Sequence, residues 1–343
     1  MDIGKLEKIL QEDGQPKFRL AQIKKAVFQD GVSSFQEIST VPKGLRGFLE
    51  KNMDILPFSL EEIKLSKDKL SAKALLKLQD GNFTETVLMP GSSGAFTVCV
   101  SSQIGCPLGC AFCATGKGGF ERNLTSEEIT GQVLFWRQYL KKNGGNISNI
   151  VFMGMGEPFL NWENVKKSLR ELTDPGLFGF GSRSISVSTA GVSDGISKLA
   201  KEFPQVNLAV SLHFADDGRR GEFMPINKKF NLTTLRENLH RYLLKTRRKV
   251  MLEYIMLAGE NDSLTDAKKL VEYVKSIGRL QLLHVNLISY NRTLGEFSGS
   301  SVKTISQFKE YLLKNGISAT VRKSLGADIS GACGQLAGKR VIG

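Results

Sequence analysis

The sequence predicts an α/β fold whose core is a parallel sheet. From Phe96 onward, short β-rich runs alternate with amphipathic helical stretches. The stretches open on helix-capping residues, and the first seventy residues show only broken helical patterning. Taken in order, residues 1–70 read as short helices interrupted at Gly14, Gly31, Pro42 and Pro57, with Leu20, Ile23, Val27 and Phe28 marking one buried face. A small helical accessory domain is expected there. Residues 71–94 form a β-hairpin extension, because Ala74 to Gln79 and Phe83 to Met89 flank the favoured turn pair Asp80-Gly81. Residues 95–320 hold six strand runs: Phe96 to Val100, Asn149 to Met153, Ser184 to Ser188, Asn207 to Leu212, Val250 to Met256 and Val285 to Ile288. Between them, Thr125 with Glu128, Asn161 with Asn164, and Ser263 with Asp266 mark helix starts, the first as a capping box. Repeated strand–helix–strand units imply right-handed crossovers in an open sheet or a full or partial barrel. In such barrels, sites gather at the carboxyl ends of the strands. Residues 321–343 remain as a C-terminal segment.

The 343 residues suffice for a large catalytic domain with an accessory one, and 41% hydrophobic with 24% charged residues is an ordinary globular mixture. Residues Met1 to Leu10 mix charged and apolar side chains and lack a signal-peptide core, and no run approaches the length of a membrane span. A cytoplasmic protein is expected. The net charge of +13 and a pI near 9.5 favour polyanionic partners. Nearly all of the excess lies beyond Leu70, since residues 1–70 carry twelve Lys/Arg against eleven Asp/Glu. Arg219 to Lys249 alone holds ten basic residues against Glu222 and Glu237. That stretch reads either as a solvated helix face or as a nucleic-acid contact.

Three of the five cysteines form Cys106-Pro-Leu-Gly-Cys110-Ala-Phe-Cys113, just past the first core strand. An odd cysteine count with three inside eight residues suits metal ligation in a reducing compartment better than a disulfide framework. Structural zinc wants four closed ligands, and nothing nearby offers a fourth. An iron–sulfur cluster with three thiolates keeps one iron open for substrate.

The cysteine spacing, followed by Gly154-Met-Gly-Glu157-Pro158 after the next strand, resembles the radical S-adenosylmethionine (SAM) superfamily. The resemblance implies a partial (β/α)6 barrel and a 4Fe-4S cluster on Cys106, Cys110 and Cys113. It also implies that the open iron binds the methionine moiety of SAM. It narrows to the RlmN/Cfr family of RNA adenosine methyltransferases over nearly the whole chain. The segments that carry it are Cys99-Val-Ser-Ser-Gln-Ile-Gly-Cys106, Phe152-Met-Gly-Met-Gly-Glu-Pro158, Val187-Ser-Thr-Ala-Gly191, Ser211-Leu-His213, Met224-Pro-Ile-Asn227 and Ala332-Cys-Gly-Gln-Leu-Ala-Gly338. Matched position by position, the family pattern implies SAM contacts at Gly156, Glu157, Ser188, Ser211, Leu212, His213 and Asn291. It implies a methyl-carrying thiol at Cys333, a resolving thiol at Cys99 and a proton acceptor at Glu85. On residue type alone, Cys333 would be buried filler, Glu85 solvated surface and His213 a structural histidine; Gly331 and Gly334 argue for a mobile loop around Cys333.

The resemblance further implies the order of events. Cys333 takes a methyl from one SAM, and a radical from a second SAM removes hydrogen from that methyl. The methylene radical adds to adenine, Glu85 takes the ring proton, and Cys99 attacks the Cys333 sulfur to release product, leaving a Cys99–Cys333 disulfide for a reductant to reopen. Implied partners are 23S rRNA, tRNA and a flavodoxin- or ferredoxin-like electron donor, with a monomeric protein. Gly-Glu-Pro, the Arg322-Lys323 pair and the Ala-Cys-Gly-Gln-Leu-Ala-Gly ending look RlmN-like and favour adenine C2. Pro204-Gln-Val-Asn-Leu208 and His284-Val-Asn-Leu-Ile288 look closer to Cfr, which methylates C8. A different radical SAM enzyme would need neither Cys99 nor Cys333, and a non-enzymatic cluster protein would be expected to have four ligands.

Overall fold

A computed structural model describes residues 1–91, 94–293 and 297–338. The chain opens with helices α1 (Ile3–Glu12), α2 (Phe18–Lys24) and α3 (Lys43–Asn52). It then enters strands β1 (Phe58–Leu65), β2 (Ala72–Leu78) and β3 (Phe83–Pro90), which pair antiparallel in sequence. The helical segment expected over residues 1–70 therefore stops near Asn52. Phe58–Leu65, whose charged residues Glu61, Glu62 and Lys64 mask its strand character, is an outer strand of the sheet.

β3 pairs antiparallel with β4 (Phe96–Cys99), and from β4 onward the sheet is parallel. Its further strands are β7 (Ile147–Phe152), β8 (Ile185–Thr189), β9 (Asn207–Ser211), β10 (Val250–Met256), β11 (Leu283–Ser289) and β12 (Ala319–Arg322), in that spatial order. All six strands expected from sequence are present, and β12 adds a seventh parallel one. The order runs from β1 to β12 without returning on itself, so the sheet is open. A separate small hairpin, β5 (Gln103–Gly105) with β6 (Phe120–Asn123), brackets the cysteine loop and the short helix α4 (Ala114–Lys117).

The crossover helices are α5 (Ser126–Asn143), α6 (Trp162–Thr173), α7 (Ser193–Glu202), α9 (Leu232–Thr246), α10 (Leu264–Ile277) and α11 (Val302–Lys314), with α8 (Asp217–Phe223) inserted after β9. Thr125 and Ser263 close full capping boxes with Glu128 and Asp266. Asn161 does not cap α6 with its side chain. Its amide instead donates to the Ser102 and Leu124 carbonyls at 2.7 and 2.8 Å, pinning the chain on either side of the cysteine hairpin.

Alternation along the strands sends Val187, Leu208, Val210, Leu252 and Val285 outward against the helices, where all are fully buried. The opposite positions, Ser188, Ser211, Glu253 and Asn291 just beyond β11, face a cavity. The main core is continuous from Leu6 in α1 to Ala319 in β12.

Candidate functional site

The cavity, of about 230 Å3, opens at the carboxyl ends of the parallel strands. Cys99, Cys106, Cys110, Cys113, Gly156, Glu157, Ser188, Ser211, His213, Asn291 and Cys333 all line it. Of the residues expected from the sequence, only Leu212 and Glu85 do not.

The cysteine loop is held by its surroundings. Cys106 N donates to Gly119 O at 2.7 Å, and Gly105 takes φ +71°, a conformation that favours glycine. Ala111 N donates to Phe223 O at 2.9 Å, and Leu108 and Phe112 pack on Phe214, Phe223 and Met224. Burial drives the Cys106 thiol up to about 12, and drives Cys110 up as well, with the neighbouring cysteines adding to both. Converging, desolvated thiols are stabilised as thiolates by a bound cation. Among the described residues, no three His, Cys, Asp or Glu side chains are grouped to hold a single metal ion. Three thiols on one loop are the ligand set of an iron–sulfur cluster that leaves one iron open, whereas structural zinc takes four protein ligands.

The loop after β7 is fastened by the Val-Ser-Ser-Gln segment. Ser101 Oγ accepts from Met155 N at 2.9 Å and donates to Glu85 O at 2.6 Å, while Gln103 Oε1 accepts from Glu157 N at 2.8 Å. Gly156 has φ +98°, and a Cβ there would stand 2.5 Å from Gln103 Cβ. Glu157 is buried, with Oε1 accepting from Phe159 N at 3.1 Å and Oε2 from Ala190 N at 2.8 Å. Burial raises its carboxyl to about 7 despite those donors, so a cation arriving in the cavity would find a partner there.

His213 is buried with φ +57°, and its Nδ1 accepts from Ile255 N at 3.1 Å. Leu212 differs from its neighbours. Its side chain is fully buried in the main core, and only its backbone serves the site, with its carbonyl accepting from Arg220 Nε at 3.0 Å. Arg220 was unremarkable within the basic stretch, yet it is fully buried. It also donates to Ala190 O at 2.7 Å, Ser211 O at 3.2 Å and Asn227 Oδ1 at 2.7 Å, tying the ends of β8 and β9 together. The quoted Met-Pro-Ile-Asn segment ends on that Asn227, the one hint the sequence offered.

The Cys333 segment is docked. Asn291 Nδ2 donates to Cys333 O at 3.3 Å, Ala114 N to Gly334 O at 2.8 Å and Thr115 Oγ1 to Leu336 O at 2.6 Å. Glu85 completes the attachment. Its Oε2 accepts from Ala337 N and Gly338 N at 2.7 and 2.9 Å, and its Oε1 meets Lys73 Nζ at 2.6 Å. The carboxylate is thus buried and fully engaged outside the cavity. Cys333 is exposed where it lines the cavity, and the protein atoms packed around its thiol raise it above the usual range. Cys99 is buried, and its thiol is pushed up to about 12 by burial and by Cys333 beside it. All five cysteines are free, so no disulfide joins the pair.

Among the described residues, no helix is long and apolar enough to cross a membrane. Residues 100–274 match the model of the radical SAM superfamily. The chain is 40% identical over 329 residues to a probable dual-specificity RNA methyltransferase RlmN of Thermotoga neapolitana, covering 96% of this chain and 94% of that one. It is 42% identical over 335 residues to the ribosomal RNA large subunit methyltransferase Cfr of Clostridium botulinum, covering 97% and 96%. The crystal structure of a radical SAM methyltransferase from Sphaerobacter thermophilus superposes with a TM-score of 0.92 at 39% identity, over 99% of this chain and 98% of that one. With a superfamily match spanning the cysteine loop and relatives of both names aligned nearly end to end, the chain belongs to the RlmN/Cfr family of radical SAM enzymes.

Proposed function

We propose that this protein methylates adenine in RNA, 23S rRNA and tRNA being the substrates, in the cytoplasm and as a monomer served by a flavodoxin- or ferredoxin-like donor. The observation that carries the reading is the convergence on one cavity of the cluster-type cysteines with two further thiols, Cys99 and Cys333. With a 4Fe-4S cluster on Cys106, Cys110 and Cys113, bound SAM supplies a methyl group and one-electron chemistry. Glu157 offers its carboxylate to the SAM ammonium, while Gly156, Ser188, Ser211, His213 and Asn291 surround the remainder, and Leu212 contributes backbone only. Cys333, on a segment flanked by glycines, accepts the methyl as thiolate and carries it to the base. Cys99 attacks the Cys333 sulfur to free the product, leaving the two sulfurs paired until reduced. Glu85 takes the ring proton, for which Ala337 N and Gly338 N must first leave its Oε2 while Lys73 keeps its Oε1.

Adenine C2 is the favoured position. The Arg322-Lys323 pair and the Ala332-to-Gly338 ending support it, while the Cfr relatives keep C8 as the second reading. Holoenzyme incubated with SAM, reductant and labelled RNA, then digested to nucleosides, should yield 2-methyladenosine; 8-methyladenosine would reverse the choice, and no methyladenosine would refute the function. Cys99→Ala should stay joined to RNA through one methylene on a denaturing gel, with the band lost in Cys99→Ala/Cys333→Ala. Normal release by Cys99→Ala would remove Cys99 from the mechanism.

A further inference from the structure

Glu253 and Arg322 have no part in the chemistry above, yet both line the cavity with Cys99 and Cys333. Strand register places them there. β10, β11 and β12 align Glu253 with Asn286 and Asn286 with Thr320. Asn286 Nδ2 donates to Glu253 Oε1 at 3.0 Å, and Thr320 Oγ1 donates to Asn286 Oδ1 at 3.0 Å. This ladder stops the Glu253 side chain from turning away. The second oxygen, Oε2, is buried without a hydrogen-bond partner, and Arg322 Nη1 stands 3.5 Å from it. A carboxylate only 3% exposed and half satisfied costs stability, which an apolar pair at these positions would avoid. The looseness leaves the guanidinium free to serve a second anion.

The two sulfurs, Cys99 and Cys333, line the same cavity and are the anions it could serve. The positive charge of Arg322 acts on both Cys333 and Cys99 against the larger upward push of burial, while Glu253 and Cys113 act on Cys333 in the opposite sense. Arginine suits the task because it stays charged where a buried lysine would lose its proton.

We propose that Arg322, braced by Glu253 and the Asn286–Thr320 ladder, is a positioning residue that presents a fixed positive charge to Cys333 and Cys99. The inference rests on the roles proposed above for these thiols. In the first step, the Cys333 sulfur anion forms a bond to the methyl carbon of SAM as the bond from that carbon to the sulfonium breaks, and S-adenosylhomocysteine leaves. One anion and one cation become two neutral sulfides, with no oxidant required. The charge that stabilises the anion also sets how much of it exists.

The test reads the thiol without turnover. Cluster-loaded protein, free of SAM and RNA, is treated with iodoacetamide, and carbamidomethylation of Cys333 is timed by peptide mass spectrometry. Arg322→Gln should slow it roughly tenfold as the thiolate fraction falls, Arg322→Lys should keep most of the rate, and Glu253→Gln should raise it. Opposite signs for the two neutralising substitutions are what a purely structural role would not give, and thermal midpoints taken in parallel register any fold defect. Equal rates in all variants, or slowing in both Arg322→Gln and Glu253→Gln, would overturn the proposal. If Arg322→Gln fails to fold, Arg322→Lys and Glu253→Gln decide alone. Wild type that makes no methyladenosine yet shows this pattern would sink the methyltransferase reading and leave the charge arrangement standing.

Discussion

His213 shows how a single residue can join backbone strain to chemistry. Its left-handed backbone aims the ring at the cavity, where Nδ1 accepts from Ile255 N and the ring stands edge-on to Phe112, centroids 5.1 Å apart. A neutral ring accepting at Nδ1 carries its proton on Nε2. Burial, with the Arg220 charge second, holds the imidazole down to about 3 from 6.5. Between those values the unfolded chain binds a proton that the fold refuses, so this group's contribution rises with pH across the window and is lost as pH falls from 6.5. The ceiling is about 1.4 kcal/mol per pH unit. His213→Asn removes the titration while tolerating the left-handed backbone. Urea midpoints of the variant should climb less steeply with pH than those of the parent; parallel curves would mean that His213 is not held neutral.

At the scale of elements, the basic stretch from Arg219 to Lys249 divides. Arg219 is paired with Glu222 and Glu260, and Arg220 is buried under the strand ends. Arg247 to Lys249 precede β10 and so lie at the amino ends of the strands, opposite the cavity, with Arg248 bonded to Asn207 at 2.6 Å. The cations near the cavity come from other elements: Lys117 after the cysteine loop, Arg292 after β11, and Lys323 after β12, all exposed. RNA reaching Cys333 should meet these. Arg292→Ala/Lys323→Ala is therefore expected to weaken RNA binding and flatten the log-affinity against log-salt slope by about 1–2. Arg247→Ala/Arg248→Ala should leave the slope unchanged. Filter binding across a salt series distinguishes the two, and the reverse pattern would restore the far end as the RNA face.

Over the whole molecule, one apolar core joins the N-terminal helices, the hairpin and the parallel sheet. Trp136 on α5 is its largest fully buried side chain, and its Nε1 donates to Thr86 Oγ1 on β3 at 3.1 Å. Trp136→Ala should cost about 3–5 kcal/mol, read as a lowered urea midpoint. Because the core is shared, the loss should appear in one transition; a destabilised hairpin beside an unshifted parallel sheet would contradict a shared core. The strand–helix alternation was legible in the sequence because side-chain period depends only on local geometry, and all six expected strands exist. Most of the cavity's lining was legible too, since the cysteine spacing, the Gly-Glu-Pro loop and the Ser-Leu-His segment each fall at a strand end. The seventh strand was not legible: Ala319–Arg322 is four residues long and gains its identity from pairing with β11. Nor was the strand character of Phe58–Leu65, which depends on β2 beside it. Arg220 as a buried strut, Glu85 as the anchor of the Cys333 segment and Arg322 lining one cavity with Cys99 and Cys333 are likewise tertiary facts. Residue type and spacing determine which chemistry a chain can carry. Which charge is buried, and against what, is decided by strands brought together from distant parts of the chain, because the cost of desolvation depends on the partners met there.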